Sequence, residues 1–230
     1  MPIESLSLSI GAAELPLTIA TPARPGPLLA VVPSIFGVGP DVLAFAERFS
    51  AVGALVAVFN PMWRQGHAAL DVDTESAQAL ARMRQHHSDD TLTDLRAVLD
   101  WADSHPLCTG ARVALGICFG GRFAFQAAAN GWVDAAATWH GGGLGALCGL
   151  APQVKVPLRM DFGAVDPLIP PSEVARIQAA FADHRNATVA VHPDSGHGFT
   201  HVGTRAGNPA AAQAAAMALE GLLRQRMSAA

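Results

Sequence analysis

Three residues of this chain have the types that acyl-transfer chemistry needs, and each follows an apolar run. Cys118 lies in Gly116-Ile117-Cys118-Phe119-Gly120-Gly121, between the run Arg112–Leu115 and the helix-patterned Arg122–Ala129. A reactive side chain between glycines at a strand-to-helix turn is held clear of the backbone, and the helix N-terminus beside it favours a thiolate. Gly116 and Gly120 leave room for the sharp fold-back, and Gly121 lets the helix pack close to the strand. Asp166 follows the run Val156–Phe162, and His197 follows Ala187–His192. In that order the histidine accepts the thiol proton and later serves the leaving group, while the carboxylate orients the imidazole. The backbone N–H of Phe119, with one from the loop near Ile35, would stabilise the oxyanion. Each part alone has an ordinary explanation: a tight turn with a buried thiol, an Asp-Pro turn, a loop histidine between Gly196 and Gly198. Their shared order after successive strands makes the set specific.

The elements that must position these residues alternate along the chain. Leu6–Ile10 and Leu15–Ala20 read as an N-terminal hairpin around Gly11–Glu14, and Leu28–Val32 as a buried strand. The loop Pro33–Pro40 after it has two glycines and stands where α/β proteins place ligands. Asp41 reads as the N-cap of a helix over Val42–Val52 that Gly53 ends. A strand over Ala54–Phe59 follows, then an irregular segment from Met62 to Val72. Helices are expected over Thr74–His87 and Thr91–Ala102, with Ser88–Asp90 as a break between them. Strands are expected over Val133–Trp139, Val156–Phe162 and Ala187–His192, and helices over Pro171–Ala182 and Pro209–Met227. This alternation predicts an α/β fold with a mostly parallel sheet and helices on both faces, in a single domain over 1–230.

Composition narrows the function classes. Half of the residues are hydrophobic and 15% are charged, which suits a heavily buried fold. The net charge of −4, with Lys155 as the sole lysine, disfavours a nucleic-acid partner. No apolar run is long enough for a membrane span and no secretory pattern opens the chain, so the expectation is a cytoplasmic protein without a membrane partner. Cys108, Cys118 and Cys148 form neither a disulfide framework nor a metal spacing, and Cys108 and Cys148 read as structural. His86-His87 with Asp89-Asp90 reads as a solvated break, because adjacent histidines point in different directions on a helix. His140 at a strand end, and Trp63 in Met62-Trp63-Arg64, are candidates for a pocket lining.

Four stretches carry a resemblance to a known family: Ser34-Ile35-Phe36-Gly37-Val38, the Cys118 turn, Gly163-Ala164-Val165-Asp166 and Ser195-Gly196-His197-Gly198-Phe199. The chain resembles the dienelactone hydrolases, cysteine-dependent members of the α/β-hydrolase superfamily. That resemblance implies hydrolysis of a small ester or lactone through a thioester, with Cys118, Asp166 and His197 as the triad. It places the oxyanion hole at the N–H groups of Ile35 and Phe119 and implies no metal or organic cofactor. Two positions depart from the family. Ser34 stands where relatives carry a glutamate that helps activate the cysteine, and a hydroxyl is no carboxylate base. His201 stands where they carry an arginine that grips the substrate carboxylate. Ser34, Phe36, Trp63, His140 and His201 are therefore the expected substrate pocket. The alternatives are a diverged ligand-binding or redox-responsive thiol protein on the same fold, or a thioesterase. The oligomeric state is not legible.

Overall fold

The computed structural model describes residues 3–228; the outermost residues of the expected 1–230 unit lie outside the described residues. Eight strands form one sheet in the order β1-β2-β4-β3-β5-β6-β7-β8. β1 (Ile3–Ile10) and β2 (Ala13–Ala20) make the antiparallel N-terminal hairpin, and β2 pairs antiparallel with β4 (Leu55–Phe59). The other pairs are parallel: β3 (Gly26–Val32) between β4 and β5 (Cys108–Ile117), then β6 (Ala135–Trp139), β7 (Leu158–Gly163) and β8 (Ala187–His192). Parallel strands need crossovers, and the helices that supply them cover both faces.

The strand period of two divides the core. Leu28, Ala30 and Val32 point to one face with Leu55, Ala57 and Phe59, under α3 (Ser88–Ala102), α4 (Gly121–Ala129) and α5 (Pro171–Ala180). Leu29 and Val31 point to the other with Val56, Val58 and Leu115, against α1 (Pro40–Val52) and α6 (Pro209–Met227). The central strands are apolar on both faces, so they read as continuous runs rather than alternations.

Differences from the sequence expectation have local causes. α1 begins two residues earlier than expected: Gly39 is its N-cap and Pro40 its first residue, so Asp41 lies in the first turn and its carboxylate is free for another partner. α2 is shorter than expected, Ser76–Arg84. Ser88–Asp90 is the first turn of α3 and no break, with Asp89 and Asp90 at the positive helix end. The unpatterned stretch after β6 is a 3-10 segment, Leu144–Gln153, with Pro152 inside it. No helix among the described residues is long and apolar enough to cross a membrane.

The alanine-rich α6 is anchored by few large side chains, and Leu219 is one that is fully buried. Leu219→Ala should lower unfolding free energy by about 2–5 kcal/mol. Met217→Ala, at an exposed position, should change it by no more than about 0.5 kcal/mol. Urea denaturation measures both, with an unchanged denaturant slope marking a pure stability effect.

Candidate active site

The parallel strands deliver their C-terminal ends to one edge of the sheet, and the candidate residues leave from those ends. Cys118 follows β5 directly, opening a 3-10 turn, Cys118–Gly120, that runs into α4. Its φ is +53°, a left-handed conformation rare for a residue with a Cβ. Packing enforces it. A methyl on Gly116 would sit 2.3 Å from the Gly120 carbonyl oxygen, and one on Gly120 would sit 1.8 Å from that of Val32. The turn is thus pressed against the end of β3, which brings the Pro33–Phe36 loop beside it. Gly121 packs close to β5, its Cα 2.6 Å from where a Gly116 methyl would stand, and also approaches the Gly141 backbone after β6, where Gly142 N–H donates to the Cys118 carbonyl at 3.2 Å.

Asp166 and His197 come together through the loops after β7 and β8. Ala164 N–H donates to the His192 carbonyl at 2.9 Å and Val165 N–H to the Ser195 carbonyl at 3.0 Å. Oδ1 of Asp166 accepts from the N–H groups of Leu168 (2.8 Å) and Ile169 (3.1 Å). Its other oxygen is 2.8 Å from Nδ1 of His197, whose Nε2 is 3.1 Å from Cys118 Sγ. The carboxylate therefore accepts from Nδ1–H, and Nε2 is left facing the sulfur. Burial alone would pull the His197 pKa down, but its hydrogen bonds to Asp166 and Cys118 and their charges push it up to about 10. The arrangement sets a protonated imidazole against the Cys118 sulfur.

The N–H groups of Ile35 and Phe119 make no hydrogen bond among the described residues, so both are available as donors. Ser34 is buried, and its Oγ accepts weakly from Phe36 N–H at 3.4 Å. Ser34, Phe36 and His201 line one cavity of about 230 Å³. His140, expected in the pocket, does not line this cavity: it is fully buried, with Nε2 2.8 Å from Thr200 Oγ1 and Nδ1 unpartnered among the described residues. Its ring is 5.0 Å from that of His197. Burial, with the charges of His197 and His201 beside it, holds His140 well below the usual histidine range, so it is neutral. The structure takes Trp63 elsewhere. Its indole N–H donates to the buried Asp94 at 2.8 Å, Arg64 covers its ring, and it lines a separate cavity with Asn60 and His67.

Asp41 is the residue that the sequence did not disclose as part of this region. Its carboxylate reaches Nδ1 of His201 at 2.5 Å, across 160 positions of chain, and no local pattern announces such a pair. Cys118, His140 and His197 place ligand atoms within 4.8 Å of one another, a donor set suited to a soft divalent metal. His86, in the expected break, instead bonds Thr91 at 2.7 Å and lays its ring edge against Phe119. Cys108 and Cys148 are free thiols away from these partners.

With this geometry in hand, comparison with known proteins is specific. The family model for the dienelactone hydrolase family matches residues 15–226. The chain belongs to the dienelactone hydrolase family. A carboxymethylenebutenolidase of Pseudomonas sp. (strain P51) is 31% identical over 97% of this chain and 96% of its own length. Among solved structures, a Klebsiella pneumoniae protein provisionally named a dienelactone hydrolase aligns with a TM-score of 0.84 at 24% identity, over 98% of this chain and 100% of that one. A dienelactone hydrolase-like promiscuous phosphotriesterase from metagenomic libraries aligns with a TM-score of 0.80 at 21% identity, over 98% of both chains. These two likenesses show the shared fold of the family.

The raised His197 pKa has a direct readout. In an NMR titration the His197 imidazole of the folded protein should titrate near pH 10, and in Cys118→Ala or Asp166→Asn at a lower pH. Because the folded value lies above the unfolded value of about 6.5, the stability it contributes is full below that pH. It should disappear as pH rises through about 10.

Proposed function

We propose that this protein hydrolyses a small ester or lactone through a thioester on Cys118. The observation that carries the reading is the 3.1 Å approach of His197 Nε2 to Cys118 Sγ, with Asp166 completing the relay on Nδ1. The family membership and the carboxymethylenebutenolidase relative support the same class of reaction.

In this mechanism Sγ attacks the substrate carbonyl carbon, and the negative charge that develops on oxygen is met by the N–H groups of Ile35 and Phe119. Collapse of the tetrahedral intermediate breaks the carbon–oxygen bond, and the His197 proton goes to the leaving alkoxide. In a lactone that alkoxide stays tethered to the acyl group. His197, now neutral, takes a proton from water, whose oxygen attacks the thioester. The second tetrahedral intermediate then releases the acid and returns Sγ, with the proton on His197. Ser34 supplies no carboxylate to this scheme, so thiol activation rests on His197 and the start of α4.

Cys118→Ala should lower kcat/KM for p-nitrophenyl esters by at least about 10³-fold while leaving the fold intact. Stoichiometric alkylation with iodoacetamide should remove activity in proportion to Cys118 modified. Turnover unaffected by either would exclude the mechanism.

A further inference from the structure

We infer that the cavity beside Ser34 selects esters and lactones whose side group donates a hydrogen bond and carries no negative charge, with Asp41 and His201 as the selecting pair. The inference rests on the acyl-transfer reading of Cys118 and names the substrate class that reading leaves open.

The cavity, about 230 Å³, is lined by Ser34, Phe36, Asp41, Asp71, His201 and Thr204 among others, and none of its lining residues is lysine or arginine. Cys118 does not line it; the cavity opens on the Ile35 side of the site. Ser34 and Phe36 flank Ile35, one of the two free N–H donors, and rings connect the cavity to the triad. The His201 ring is 6.3 Å from Phe36 and 5.7 Å from His140, which is in turn 5.0 Å from His197. A substrate held with its carbonyl at Cys118 can place a short side group here.

The charge of the cavity follows from the pair. Burial works to raise the Asp41 pKa, but the hydrogen bond and charge of His201 hold it below the usual carboxylate value. Asp41 is therefore ionised, and it accepts from Nδ1–H of His201. Nε2 of His201 has no hydrogen-bond partner among the described residues. A neutral imidazole presents an acceptor lone pair there and leaves the pair with one negative charge. A protonated imidazole only neutralises it. In neither state does the pair carry a net positive charge. Asp71 adds a second carboxylate, held below its usual range mainly by Thr74 and partly offset by Arg205, which is not among the lining residues. An entering carboxylate meets like charge, whereas a hydroxyl or ammonium finds acceptors.

The test uses p-nitrophenyl esters of hexanoate, 6-hydroxyhexanoate and adipate, assayed with the intact protein and with Cys118→Ala. The hydroxy ester should be the best substrate by kcat/KM, and the adipate ester should fall below it by at least about 10-fold. His201→Arg should raise the adipate-to-hydroxy ratio by about 10-fold or more, and Asp41→Asn should raise it as well. Should a variant fail to fold, salt serves instead, since higher ionic strength should narrow the gap in the unaltered protein. Equal, Cys118-dependent turnover of all three esters would overturn the selection and leave the hydrolase mechanism standing. Absence of Cys118-dependent turnover on any of them would overturn both.

Discussion

The site depends on a steric constraint at the end of β5. Cys118 occupies a left-handed backbone conformation because the chain must reverse within the space left by Gly116 and Gly120, against the carbonyl of Val32. Such a conformation costs on the order of 1–3 kcal/mol, and only surrounding structure that leaves no alternative sustains it. Here that structure is the central parallel sheet, buried on both faces. The turn presses on the Ile35 loop, and the N–H groups of Ile35 and Phe119 have no hydrogen-bond partner among the described residues. The projecting sulfur and the two free N–H groups beside it are thus consequences of one close packing.

A second constraint brings the proton-transfer groups to that sulfur. The loops after β7 and β8 are stitched by main-chain bonds from Ala164 and Val165, and Asp166 is fixed by two N–H groups of its own loop. His197 then has one orientation that satisfies Asp166 and faces Sγ. A buried imidazole would ordinarily lose its proton, and only a charged partner on each nitrogen reverses that tendency. His140, more deeply buried and bonded to the neutral Thr200, goes the other way and stays uncharged next to it. Two adjacent histidines hold opposite protonation states because their burial and their partners differ.

Much of this was legible in the residues. Apolar runs ending in Gly-x-Cys-x-Gly, Asp-Pro and Gly-His-Gly gave the strand ends and the order of the three groups, because parallel strands converge their C-terminal ends regardless of sequence distance. Element boundaries were less legible where local signals compete. Asp41 has the side chain of an N-cap, yet Gly39 and Pro40 start the helix first, and Asp41 is released to a histidine from the far end of the chain. Ser88–Asp90 reads as a polar break, although its acidic residues suit a helix start equally well. Trp63 shows why pocket residues resist such reading: its exposure and partner are set by Asp94 of α3, a contact no periodicity predicts.

The central claim is that the sulfur of Cys118 carries the acyl group. The most direct measurement is mass spectrometry after acid quench of a reaction with an activated ester, followed by peptide mapping. The account predicts a single acyl adduct on the peptide containing Cys118 that decays on the timescale of turnover. An adduct on Cys108, on Cys148 or on an oxygen nucleophile, or turnover with no covalent adduct at any time, would contradict it.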